Sequence, residues 1–152
     1  MTNGEAWGAL LLRVVLGVVY ASHGYLAYTV MCPRGTAAFV FKLGFPASLA
    51  EPLAWFLIAA HTVGGAMMIV GLFTRIVALI NVPIMLTAIF VIYLPQGYFM
   101  KGALEQASGK PVAIGYEYPL LILGATLAMV LLGSGKLALD GLFHRPPRRR
   151  RH

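Results

Sequence analysis

The sequence predicts an all-α integral membrane protein, a four-helix bundle with both termini in the cytoplasm. Three observations carry that prediction. Of the 152 residues, 59% are hydrophobic and 11% charged, with mean hydropathy +0.79; globular chains carry roughly a quarter charged residues, so a soluble surface could not be covered. Four apolar stretches come close to the ~20 residues that cross a hydrocarbon core. The basic residues fall unequally on the two sides that four spans define.

The first span is 9–31, interrupted by Arg13 and His23 and closed by Pro33 and Gly35. Its N-terminus lacks a basic n-region and a small-residue cleavage site, so it is expected to stay as a helix. Residues 32–51 form a connection in which aromatic 37–43 is too short to span and reads as an interfacial helix or re-entrant piece. Span two is 52–73, with Pro52 placed as at a first helical turn. Thr74 and Arg75 make a short turn, so span three, 76–94, returns antiparallel; a kink is expected at Pro83. Residues 95–115 form a second connection. Span four is 116–132, followed by Gly133, Ser134 and Gly135 and an amphipathic 136–143. One domain, 1–144, thus precedes a basic tail, 145–152.

Arg13, Arg75, Lys136, Arg145 and Arg148 to Arg151 lie on one side, Arg34, Lys42, Lys101 and Lys110 on the other. The positive-inside rule places the richer side, with both termini, in the cytoplasm. In a bacterium the membrane is then the cytoplasmic (inner) one. The net charge of +7 is concentrated in the last 17 residues. An arginine tail after a membrane helix meets anionic lipid headgroups; no nucleic-acid partner is expected.

His23 and His61 are the ionisable residues deepest in the apolar spans. Each is eight or nine residues from the outer end of its span, about 12 to 14 Å down at 1.5 Å per residue. Gly17, Tyr20, Gly24 and Ala27 recur at helical spacing beside His23. Ala54, Ile58, His61, Gly65 and Met68 share a face of span two. Small residues let helices approach closely in lipid, and if these stripes face each other the histidines converge. Glu117, with Tyr116 and Tyr118, enters span four at the outer surface, and Tyr93 ends span three at that level.

Two readings follow. Intramembrane ionisable groups tend to be functional, and imidazoles beside a carboxylate and phenols suit proton exchange with a quinone headgroup; the binding residues would be His23, His61, Tyr20, Tyr93 and Glu117. Alternatively the histidines only hold the bundle together, Glu117 is a solvated interfacial acid, and the tyrosines form an aromatic belt. Arg13 is expected to snorkel to the cytoplasmic end, and Asn81 to bond between helices. Two histidines could ligate a b-type haem, but a small bundle gives little room. Metal sites are not expected, since the methionines are scattered. Cys32 is the one cysteine, so no internal disulfide forms, and it reads as an unreactive residue at a helix end.

Several motifs, in order, resemble the DoxX family of small four-helix membrane proteins. They are Leu12 to Gly17 (Leu-Arg-Val-Val-Leu-Gly), His23 and Gly24, Leu43 to Pro46, Gly64 and Gly65, Gly71 to Arg75, Gly115 to Glu117, and Gly133 to Gly135 followed by Leu139 and Asp140. They cover about residues 11–141. The resemblance implies the four-helix fold and a link to membrane redox complexes, including thiosulfate:quinone oxidoreductase subunits. A quinone-linked subunit is therefore one expectation, catalytic or not. A non-catalytic assembly or stabilising subunit is the other, with other subunits or a homo-oligomer as partners. The family pattern commonly has glutamate where this chain has His61, histidine where it has Tyr93, and a lysine soon after the His-Gly pair that is absent here.

Overall fold

Thr2 and Glu5 start the first helix by capping each other. The Thr2 hydroxyl accepts from the Glu5 N–H at 3.3 Å, and the Glu5 carboxylate accepts from the Thr2 N–H at 2.8 Å. Two orphan donors are thereby satisfied, and helix α1 (Asn3–Thr29) begins six residues before the span expected from hydropathy. The structure is a computed structural model describing residues 2–99 and 115–143. Most of the second connection, including Lys101, Glu105 and Lys110, and the arginine tail lie outside the described residues.

The connection after α1 is largely helical, and its helix starts five residues before the interfacial piece expected at 37–43. Cys32 takes a left-handed backbone (φ 55°) and starts α2 (Cys32–Lys42), with Pro33 in its first turn. Proline is favoured at that position because its missing N–H would be unpaired anyway. The same residue that ends one helix therefore begins the next. Helix α3 (Ala47–Val70) is capped by Pro46 and already contains Pro52, so the second span starts five residues earlier than Pro52 suggested.

Gly71 ends α3 in a left-handed turn (φ 73°). A side chain there would run into the Arg13 guanidinium, so close approach as well as conformation requires glycine. The turn is thus 71–73, and Thr74 and Arg75 already belong to α4 (Thr74–Thr87). The chain continues from α4 as a π-helical turn (Ala88–Tyr93) and a 3-10 turn (Leu94–Gln96). Helix α5 (Glu117–Leu132) follows the second connection. Of the amphipathic 136–143, only α6 (Asp140–Phe143) is helical.

Helices α1, α3 and the continuous 74–96 helix have 27, 24 and 23 residues and are long and apolar enough to cross a membrane. Helix α5 is apolar but has 16 residues, about 24 Å. The outward face is itself apolar: Leu79, Phe90 and Leu121 are each 60% exposed or more. Such a surface suits lipid rather than water. Inside, α1 lies along α3 and α4 along α5, around Leu16, Tyr20, Met68, Met85, Ile122 and Met129.

The α1–α3 contact is built on the predicted small-residue stripes. A Cβ on Gly24 would meet the Thr62 backbone, and one on Gly65 would meet Ala21. Van der Waals contact between the two backbones replaces side-chain packing, as membrane helices favour.

At the end of the bundle holding the N-terminal half of α1, Arg13 does not snorkel. It is 1% exposed and donates to the Ser134 carbonyl at 2.7 Å and the Leu137 carbonyl at 3.1 Å. Residues 133–139 are outside helices, so their carbonyls need donors, and a guanidinium with five N–H groups can supply several. Asp140 accepts from the Phe73 N–H (2.7 Å) and Thr74 N–H (3.2 Å), capping α4 from the far end of the chain. Asn81 donates to the Val77 carbonyl at 2.9 Å and to the Ala60 carbonyl of α3 at 3.5 Å, linking those helices.

Candidate functional site

Four helices deliver side chains to one cavity of about 110 Å³ in the interior of the bundle. Helix α1 supplies Val19, Tyr20 and His23, and α3 supplies His61. Met85 comes from α4, Ala88 and Tyr93 from the π-helical turn, and Tyr118, Pro119 and Ile122 from α5. The two imidazoles therefore share a cavity, although they are 38 positions apart in sequence.

Each histidine is oriented by its own helix. His23 Nδ1 lies 2.9 Å from the Val19 carbonyl, and His61 Nδ1 lies 3.1 Å from the Leu57 carbonyl. A carbonyl oxygen can only accept, so both Nδ1 atoms carry hydrogen. In a neutral imidazole Nε2 is then the acceptor. Both histidines thus present the same chemistry: a pinned Nδ1–H and an Nε2 able to take up a proton.

Their surroundings differ. His61 is 7% exposed, and its ring stands edge-on to Tyr20, with centroids 5.2 Å apart and planes at 84°. That geometry sets a positive ring edge against a π face. His23 is exposed, as is Tyr118 at 38%. The cavity thus reaches the surface of the bundle at His23 and Tyr118 and ends inside at His61.

Tyr20 contacts the site through its ring. Its hydroxyl lies 2.6 Å from Thr126 Oγ1, and Thr126 Oγ1 donates to the Ile122 carbonyl at 2.7 Å. The threonine's one proton is spent on that carbonyl, so Tyr20 donates to Thr126. Tyr20 therefore positions His61 and ties α1 to α5.

The π-helical turn explains how Tyr93 arrives. In an α-helix, residues five apart stand about 140° apart around the axis. With i→i+5 bonding, seen in the Leu94 N–H donating to the Ile89 carbonyl, Ala88 and Tyr93 come round to one side. Such turns cluster at functional sites. Glu117 heads α5 and is half-buried, its N–H donating to the Tyr98 carbonyl at 3.1 Å. It is not among the cavity's lining residues, so four of the five predicted residues are brought together and Glu117 stands next to them.

Met85, Pro119 and Ile122 line the cavity without any sequence signal beyond hydrophobicity, and Thr126 was equally silent. Among the described residues no three histidine, cysteine, aspartate or glutamate side chains cluster as a metal site. Cys32 is exposed at the start of α2, away from this cavity.

The sequence model of the DoxX family matches residues 8–94. A relative from Bacillus subtilis (strain 168), bearing the name "Putative oxidoreductase CatD", is 32% identical over 133 residues, which cover 88% of this chain and 84% of the relative. No solved structure matches the chain.

Proposed function

The chain belongs to the DoxX family, and from that premise we propose that it is a redox-linked membrane subunit that receives the ring edge of a quinone at His23 and His61. The observation that carries this reading is the convergence of two identically tethered imidazoles in a cavity that opens at the surface of the bundle. The oxidoreductase name of its Bacillus subtilis relative supports the redox link.

The residues fit a hydroxylated ring edge. Nε2 of a neutral imidazole accepts from a ring hydroxyl, and His23 stands where a ligand arriving from lipid would meet it. The cavity of about 110 Å³ is well below the roughly 300–1,000 Å³ of pockets that enclose whole drug-sized ligands. It can take the edge of a ring while an isoprenoid tail stays in the bilayer. A haem is too large for the same space.

A quinone, when bound, supplies the two-electron, two-proton couple. The chain's own part is to hold and move protons. His23 Nε2 takes the protons one at a time at the mouth, its imidazolium held through Nδ1–H by the Val19 carbonyl, while the buried His61 Nε2 accepts the ring hydroxyl's hydrogen bond. Tyr20 keeps the His61 ring upright, and the surrounding Val19, Met85 and Ile122 exclude water. Electrons leave to or arrive from another redox protein, which gives the partner subunit its role.

Quinone content of protein purified in mild detergent from native membranes tests this. Bound quinone is expected near one per chain, falling at least about fivefold, roughly 1 kcal/mol of binding, in His23→Ala. Protein that carries no quinone, in parent and variant alike, favours the second reading. In that reading the cavity is a packing feature, as its small volume would allow, and the chain is a non-catalytic stabilising subunit of a larger complex.

A further inference from the structure

Where α2 and α3 begin, the two helices leave a cleft of about 600 Å³ between them. Cys32, Pro33, Arg34 and Ala37 line it from α2, and Glu51 and Trp55 from α3. None of these residues belongs to the histidine cavity. The cleft holds one base and one acid, and both are exposed. Among the described residues, neither the Arg34 nor the Glu51 side chain makes a hydrogen bond or an ion pair. The two charges thus line one space and stand too far apart to pair with each other. A guanidinium with five donors and a carboxylate with about four acceptor positions are left for a ligand.

The depth of the cleft in the membrane follows from α3. Residues 52–70 contain no acidic residue, lysine or arginine. At 1.5 Å per residue they span about 28 Å, close to the ~30 Å of a hydrocarbon core. Glu51 directly precedes this run, which sets it at the headgroup level. Trp55 and Tyr28 are 47% and 52% exposed, with ring centroids 6.4 Å apart. Such aromatic rings settle at the boundary between headgroups and hydrocarbon.

We infer that this cleft binds the headgroup of a glycerophospholipid carrying a phosphate and a primary ammonium. The phosphate meets Arg34, the ammonium meets Glu51, and the acyl chains run down the outside of the bundle past Trp55. Charge complementarity selects this occupant, because a short linker separates its anion from its cation as the cleft separates Arg34 from Glu51. A headgroup with a phosphate and no cation leaves Glu51 facing negative charge. A trimethylated ammonium keeps the charge but has no N–H to donate to the carboxylate.

The test uses the full chain, delipidated and returned to mixed micelles with phosphatidylethanolamine, phosphatidylcholine or phosphatidylglycerol of identical acyl chains. Native mass spectrometry counts the lipid retained. Cys32 is the one cysteine and lines the cleft, so its alkylation by a small neutral reagent, with and without lipid, reports occupancy. The ethanolamine lipid is expected to be retained at least about fivefold better than either of the others, the size of effect a charge-assisted hydrogen bond gives, and to slow alkylation most. Glu51→Gln should bring its retention down to the choline level, and Arg34→Gln should lower retention of all three lipids. Glu51→Lys, which leaves two cations in the cleft, should make the glycerol lipid the preferred one. Both positions are exposed, and an unchanged unfolding midpoint checks that each variant is folded; should one fail, the lipid series on the parent protein decides. Equal retention of the three lipids would overturn the proposal, as would a preference for the glycerol lipid in the parent or an ethanolamine preference unchanged in Glu51→Gln. Protection of Cys32 by glycerophosphoethanolamine as strong as that by the lipid would also overturn it, and would assign the cleft to a soluble zwitterion.

Discussion

Tyr20 on α1 and Thr126 on α5 are joined by a 2.6 Å hydrogen bond in the middle of the bundle, with exposures of 1% and 0%. They are 106 positions apart. The bond does two things at once: it closes the bundle and holds the Tyr20 ring edge-to-face with His61. Removing the hydroxyl should therefore act on stability and on the histidine site together.

Tyr20→Phe and Thr126→Val are each expected to destabilise the protein by about 1 kcal/mol, since interhelical bonds in membranes average roughly 0.6 with a maximum near 1.7. Because both variants remove the same bond, the double variant should cost less than the sum of the two. Unfolding in mixed micelles measures the coupling, and strict additivity would contradict the bond.

Gly24→Ala and Gly65→Ala put a methyl group against the Thr62 and Ala21 backbones. Backbone cannot rotate away as a side chain can, so each change forces α1 and α3 apart. A loss of about 1 to 3 kcal/mol is expected. Gly124→Ala is the control. Nothing lies within 4 Å of its Cβ position, and it should be neutral or slightly stabilising by the usual helix preference for alanine. Thermal unfolding in one detergent compares all three.

These glycines were legible in the sequence because a close helix contact leaves a local trace: small residues at helical spacing. The pairing of His23 with His61 follows from those facing stripes and not from counting down from the span ends, because α3 starts at Ala47 instead of Pro52 and α1 ends at Thr29. What is set by contacts between distant segments left no such trace. Thr126 became significant only once Tyr20 was seen to donate to it. The π-helical turn at 88–93 reads like any other apolar run, yet it brings Tyr93 to the cavity. Arg13 looked like a snorkelling residue because its partners, the Ser134 and Leu137 carbonyls, are backbone atoms that any sequence possesses. Pro52 looked like a helix start, but the chain uses Pro46 for that and accommodates Pro52 inside α3.

Asp140→Ala removes the cap on the first two N–H groups at the α4 start. A cost of about 1 kcal/mol is expected, within the 0.5–2 range of lost N-caps. Asp140→Asn should recover part of it, because an amide oxygen still accepts. Hydrogen exchange at Phe73 and Thr74 should quicken in both variants, more so in alanine. Unchanged exchange in Asp140→Ala would show that the cap does not hold that turn.

His23 and His61 should separate stability from ligand binding. His23 is exposed, so His23→Ala should leave the unfolding midpoint nearly unchanged while bound quinone falls. His61→Leu keeps the interior filled and leaves the Leu57 carbonyl to its helical bond, so a change within about 1.5 kcal/mol is expected. It should lower bound quinone as well. A fall confined to stability, with quinone content intact, would assign the imidazoles to packing.

The most direct measurement is photo-crosslinking with a quinone that carries a photoreactive group on its ring, followed by peptide mapping of the labelled protein. Label is expected around residues 19–23, 85–93 and 118–122, and should be lost from all three in His23→Ala. Label spread along the lipid-facing surfaces, or equal in parent and variant, would contradict a ring site at His23 and His61.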